Sequence, residues 1–459
     1  MLILFSLILI AAIAASVTNK QNAVLAILAI GFLQDPFRKV IAGEPILLIV
    51  TVGFVFAAVF FNTLREQGTH AMREPFLRWS DQIKPALYLF LAVLVLQFIH
   101  ASLRYGNLIV SGIGLLSYTA PFFAIVVGYF LVDRAGSISR ILKQYIFAGV
   151  LVAFTIVLSF SGFDSPFFKE IGQGIKIYDQ GTVLRSYSGF MRTGEIAAWH
   201  VGTSCCFLII LYFSAKKKPS ILLFLGLLVF MTVAIALTGR RKMLMLITLF
   251  GFVYGLAFSF YRKRLSFNYV FSTGLAVVLV WLAAQYLSGA DDDVKNYLAR
   301  GASVYSSASS RALDLGFKPI GWAYERVGLL GGGLGIASQG SHLFNVSNIA
   351  GGSGEGGLGK IMVELGLPGL IAVIWLIIAL TKYINSSLYL CAQDFVPRHM
   401  LALMLGIACL LLVNVMTFAV ATQVYGDMFV LIIIGLLAGF LFASPKLVIR
   451  SIEDQAKTT

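Results

Sequence analysis

The sequence predicts an all-α polytopic integral membrane protein, with about 12–14 transmembrane helices and one long extracytoplasmic loop. Composition is the first reason: 59% of the 459 residues are hydrophobic and 12% are charged, against about 25% charged residues in ordinary soluble domains. Run length is the second. The apolar stretches approach twenty residues, enough to cross a bilayer as helix, and they lack two-residue alternation. Backbone in lipid must pair its own polar groups, so such runs imply helices rather than a barrel.

Taken from the N-terminus, spans are expected near residues 2–17, 21–34, 44–62, 85–101, 111–132, 144–161, 195–214, 219–237, 243–260 and 268–287, then 360–381, 398–419 and 426–444. The chain accordingly divides into an N-terminal bundle (1–287), a long polar loop (288–359), a C-terminal group of spans (360–444) and a cytoplasmic tail (445–459). The first run ends at Ala15 much as a signal peptide does. It lacks a basic start and further apolar runs follow at once, so it is read as a span.

Cytoplasmic loops of membrane proteins are enriched in Lys and Arg, while long loops cross regardless of charge. Placing Lys216, Lys217 and Lys218 inside puts 19 Lys and Arg inside, against 10 outside once the six of the long loop and Lys360 are set aside. The long loop then faces outward. The net charge of +14 is spread over short loops, which suits anionic lipid or a phosphate-bearing lipid better than nucleic acid. Cys205, Cys206, Cys391 and Cys409 show no metal-ligand spacing and are read as small core residues.

One external feature departs from the charge rule. The turn Thr238–Lys242 holds Arg240, Arg241 and Lys242, which are either anchors reaching the interface or an anion site facing the long loop. The connection 162–194 carries Lys169, Lys176, Arg185 and Arg192; Arg192 precedes Glu195 by one turn, so it is an ion pair at a helix start or part of a second basic rim. His100 and Arg104 are read as an interfacial pair. His200, inside its span, is read as a core histidine.

Within 288–359 lie Ser310-Arg311, an amphipathic stretch through Trp322 and Arg326, a glycine cluster at Gly331–Gly335, then His342, Asn345 and Glu355. Gly354–Lys360 matches seven positions of a phosphate-binding loop, but Ile361 replaces the required hydroxyl residue and no soluble strand precedes it, so a nucleotide site is rejected. Asp291–Asp293 is read as a solvated helix end rather than a metal site. A neutral imidazole suits removal of a proton from a sugar hydroxyl, and a guanidinium suits a diphosphate. His342 and Arg311 together therefore fit glycosyl transfer from a lipid diphosphate.

The external loop and the span arrangement resemble the bacterial O-antigen polymerase and O-antigen ligase superfamily. The resemblance rests on Ser310-Arg311, Trp322, Gly332-Gly333-Leu334-Gly335, His342 with Asn345, the stretch from Glu355 through Glu364-Leu365-Gly366-Leu367-Pro368-Gly369, and the Thr238–Arg241 turn. It implies a GT-C-like, inverting, metal-independent membrane glycosyltransferase without cofactor, in the bacterial inner membrane with its active site facing the periplasm. The donor would be an undecaprenyl-diphosphate-linked glycan and the acceptor a glycan or lipid A core. Membrane lipids, a chain-length regulator and a flippase are the further partners implied; nucleic acid is not.

By that resemblance Arg311, with Arg240 or Arg241, holds the diphosphate, and His342 orients or deprotonates the acceptor, with Glu355 as the reserve base. Arg192, Arg185, Arg326 and Asn345 complete the candidate substrate contacts. Leu343 and Phe344 intervene between His342 and Asn345, where ligases tend to have Asn directly after the histidine, which favours a polymerase over a ligase. A lipid-linked glycan transporter and a non-catalytic scaffold are the readings from other classes. A transporter should line a path through its spans with charge.

Overall fold

The computed structural model describes residues 1–77, 80–171, 175–179, 182–262, 296–297, 300–301, 303, 310, 312–338 and 356–456. Its helices are α1 (Leu2–Ser16), α2 (Lys20–Val40), α3 (Thr51–Gln67), α4 (Ser80–Tyr105), α5 (Leu108–Leu131), α6 (Ala135–Phe160), α7 (Gly194–Ser214), α8 (Ile221–Leu237), α9 (Arg241–Arg262), α10 (Lys318–Val327), α11 (Gly357–Cys391), α12 (Arg398–Val420), α13 (Met428–Phe442) and α14 (Ser444–Ala456). One antiparallel hairpin interrupts them, β1 (Lys176–Asp179) with β2 (Thr182–Arg185), in register Lys176 to Arg185.

Among the described residues eight helices are long and apolar enough to cross a membrane, or nine if α13 and α14, bent by 47°, count as one span. The polytopic helical architecture expected from composition is therefore present. The count differs from the sequence expectation for identifiable reasons. α1 and α8 are apolar but have 15 and 17 residues, and the expected span at 268–287 lies outside the described residues. α2 has the length, but its ends are polar, with Lys20, Gln21 and Asn22 at the start and Gln34, Asp35, Arg38 and Lys39 toward the finish.

Capping residues set several helix starts. Asn19, Asn107, Thr193 and Asp427 each accept a backbone N–H of the first turn, which satisfies donors that a helix leaves open. At the centre is α7, with 78% of its apolar window buried, more than any other candidate span. Its neighbours are α6, α8, α9 and α12. α5 and α13 lie against each other along Gly128, Gly435 and Gly439, where a Cβ would strike the partner backbone; small residues allow such close approach where lipid supplies no hydrophobic drive. Outward, Leu103, Phe61, Phe147, Leu222 and Phe252 are exposed on the helix perimeters, as a lipid-facing surface requires.

The ends of the helices form two faces. The face holding the start of α7, the end of α8 and the start of α11 is called upper. On the lower face Asp133 accepts from Lys20 Nζ at 2.6 Å and from Arg450 Nη1 at 2.7 Å, joining α2, the α5–α6 turn and α14. Partial burial alone would raise the Asp133 pKa; the hydrogen bonds from Lys20 and Arg450 outweigh it, and the net direction is down.

Candidate functional site

The upper face gathers the buried charge of the described residues. Beginning at the turn between α8 and α9, Gly239 adopts a φ of +69°, a conformation glycine reaches without strain, and this reverses the chain within three residues. The backbone oxygens so presented are used at once: Ser186 donates to Thr238 O at 2.9 Å and Arg300 Nε to Gly239 O at 3.0 Å. Tyr297 then donates to Arg185 O at 2.6 Å, closing the connection between the hairpin and the 296–303 segment.

From this turn the cations radiate to different neighbours. Arg240 Nη1 lies 3.9 Å from Glu195 Oε2, Arg241 Nη1 donates to Ser303 Oγ at 2.5 Å, and Lys242 Nζ reaches Val420 O at the end of α12 at 3.4 Å. Four basic residues, Arg240, Arg241, Lys242 and Arg300, are thereby brought together around the turn, with Glu195 facing Arg240. A carbonyl-bearing helix end favours positive charge, which helps seat Lys242 at α12. The π-helical turn Ala312–Phe317 packs on that same end of α12 and on the start of α11. Gly356 and Gly357 leave no room for a side chain against Leu315, Phe418 and Ala419.

Arg192 belongs to a different cluster. It is nearly buried and pairs with Asp35 at 3.4 Å and Asp427 at 2.6 Å, while its backbone N–H donates to Asp35 Oδ2 at 3.0 Å. It does not pair with Glu195, one turn on, which instead faces Arg240. Next to it Lys39 Nζ donates to Gly189 O at 2.6 Å and Ser188 Oγ at 3.2 Å. These contacts fasten the 161–193 connection onto α2 and α13, so Arg192 holds the frame beneath the cation turn.

Arg185 ends β2 with most of its side chain exposed and makes two bonds to Glu170 Oε2, at 2.6 and 3.2 Å. The Glu170 hydrogen bond raises its pKa further, against the burial contribution, so it stays a fixed cation. Arg326 lies over the Trp322 ring at 5.7 Å, and no described contact joins it to the 238–242 turn. His100 Nδ1 is 3.3 Å from Gln97 Oε1, whereas Arg104 covers Tyr105 at 5.5 Å. His200 is fully buried with Nδ1 2.5 Å from the Tyr145 hydroxyl, and all four cysteines are buried and free.

Arg311, His342, Asn345 and Glu355 lie outside the described residues, as do Asp291, Asp292 and Asp293. Among the described residues no group of three or more His, Cys, Asp or Glu is placed to hold a metal ion.

Beside α10 the chain does something composition alone does not announce. After α10, residues 328–338 fold back against α4 and α11. Leu367 N–H donates to Leu329 O at 2.8 Å, Gly332 N–H to Val363 O at 2.7 Å, and Gln97 Nε2 to Leu330 O at 2.6 Å. Tyr105 closes the set on Gly332 O at 2.9 Å. The α11 partners, Val363 and Leu367, flank a break in that helix. Gly366, with φ of +68° and ψ of −169°, breaks α11 at this level and frees its backbone for the loop.

The buried Asp, Glu, Lys and Arg of the described residues share one location. Asp35, Lys39, Glu170, Arg192, Glu195, Asp427, Lys360 and Glu364 all belong to upper-face connections or to helix turns near that face. Asp35 and Asp427 gave no sequence signal beyond being acids beside apolar runs. Glu364 was visible only as part of a short motif.

No family model matches this chain, and a search of curated proteins returns no match.

Proposed function

We propose that the protein is a metal-independent, inverting membrane glycosyltransferase that polymerises undecaprenyl-diphosphate-linked oligosaccharide repeat units on the periplasmic face of a bacterial inner membrane. The observation that carries this reading is the clustering of Arg240, Arg241, Lys242 and Arg300 around one tight turn on the upper face. Fixed cations in a partly desolvated setting stabilise the charge that develops on a departing diphosphate. The buried charges of the upper face support chemistry at one surface better than passage across the membrane, which calls for charge along the whole path.

In the proposed reaction the bond between the donor sugar's anomeric carbon and the diphosphate oxygen breaks, and a bond from that carbon to an acceptor hydroxyl oxygen forms. The hydroxyl proton passes to His342. The diphosphate leaves with its electron pair and is held by Arg311 and the cation turn, since a guanidinium can fork two donors onto phosphate oxygens.

The test is reconstitution of the purified chain in liposomes with a lipid-linked repeat unit as both donor and acceptor. Growth of a ladder of longer lipid-linked glycans is expected, and His342→Ala should slow it by about 10² to 10⁴, the usual range for a general base. Donor binding should remain nearly intact in that variant. Transfer only to lipid A core would make the protein a ligase, and movement of intact donor across the bilayer without new linkages would make it a transporter.

A further inference from the structure

Glu364 is fully buried in α11, two residues before the break at Gly366. A buried carboxyl group is costly unless both oxygens are engaged. Both are. Oε2 accepts from the Tyr118 hydroxyl of α5 at 2.8 Å, and Oε1 accepts from the Ala337 N–H of the 328–338 loop at 3.1 Å. One side chain thus joins three elements that are far apart in sequence.

The surroundings reinforce the joint. The Lys360 ammonium, one turn earlier on α11 and also buried, lies 6.0 Å from the Tyr118 ring centre. Ser338 turns its hydroxyl back to Gly335 O at 2.6 Å, and Gly335, with φ of +86°, lies against α5 where any side chain would strike Val110. The loop is therefore held along its length by backbone contacts to α4 and α11. At its far end the side-chain contact is Glu364.

We propose that Glu364 is a positioning residue: it pins Ala337 and Ser338 against α5 and α11 and so fixes the point from which the chain departs toward His342, four positions further on. This inference rests on the reading of His342 as the group that acts on the acceptor. The pin acts through acceptor geometry and needs no proton transfer. A carboxamide retains one oxygen for the Ala337 N–H and can donate to the Tyr118 oxygen if that hydroxyl turns, so glutamine should preserve most of it.

The experiment uses the full chain in liposomes carrying Ser338→Cys, and reads the rate at which a membrane-impermeant maleimide labels that thiol, with the parent chain giving the background of the buried cysteines. Glu364→Leu should speed labelling roughly 10- to 100-fold, the population change expected when hydrogen bonds to a buried charged group are lost. Glu364→Gln should label near the Ser338→Cys rate, and Tyr118→Phe should fall between. On the lipid-linked donor, Glu364→Leu should lower kcat with KM little changed, and Glu364→Gln should recover most of the loss.

Labelling of Ser338→Cys that is unaffected by Glu364→Leu overturns the proposal, as does glutamine exposing the thiol as fully as leucine. Should the leucine variant fail to fold, Tyr118→Phe decides alone, since it removes one bond without touching α11. Absence of glycan transfer in every variant would overturn the reaction reading, while the labelling series would still decide the pin.

Discussion

Replacing Arg192 by methionine separates a structural role from a ligand role at the upper face. Its guanidinium, with 10% of the side chain exposed, stands between the carboxylates of Asp35 and Asp427, which are 0% and 2% exposed. Removing one partner of a buried ion pair costs about 3–5 kcal/mol because the remaining charge is left uncompensated. Asp427 loses its cation here, while Asp35 keeps Lys39 and Arg38 nearby, so the middle of that range applies. The triple variant Asp35→Asn, Arg192→Met, Asp427→Asn removes the stranded charges while keeping an acceptor for the residue-192 N–H and a cap for α13, since asparagine caps as well as aspartate. Thermal unfolding in detergent, followed by tryptophan fluorescence, should show the single variant melting well below the parent and the triple variant recovering most of the loss. A single variant that melts with the parent yet no longer binds lipid diphosphate would refute the reasoning and make Arg192 a ligand.

Other consequences follow from individual positions. Gly366→Ala forces a side chain into a positive φ against the Leu330 backbone and should prevent stable folding, whereas Gly226→Ala, with open space around it inside α8, should be neutral or stabilising by up to about 1 kcal/mol; comparing their melting midpoints checks both. Asp133 has a folded pKa below its unfolded value, so its contribution is complete above about pH 4 and disappears as pH falls through the lower folded value. Proteolysis at the α14 end should accelerate only below that range, and modestly, because exposed pairs are worth about 0.2–1 kcal/mol. Arg311→Lys should leave glycan transfer impaired, since lysine keeps the charge but loses the fork; polymerisation at the parent rate would cancel the assignment. Turnover should survive a chelator, and rescue by magnesium after its loss would bring Asp291 and Asp293 forward as ligands.

The helical membrane architecture was legible because apolar run length is a one-dimensional property of the chain. The cation turn was legible too, as Arg240, Arg241 and Lys242 are adjacent in sequence. What they touch was not: Ser303 and Val420 are 62 and 178 positions from their partners, and no local pattern encodes such pairings. Arg192 illustrates the limit. An i, i+3 partner was in plain view at Glu195, but burial against Asp35 and Asp427, at the ends of other helices, decided its contacts. Glu364 and Gln97 were harder still, because their meaning depends on a loop packing back against α4 and α11, and the glycines that permit it also occur in ordinary turns.

The loop at 328–338 also constrains the order in which the protein can assemble. Gln97 meets Leu330 across 233 positions of sequence, and the remaining backbone partners of the loop, Val363 and Leu367, are synthesised after it. Until α11 is made, the Leu329 carbonyl and the Gly332 N–H lack these partners, so the loop reaches its final seat only once α11 has joined α4.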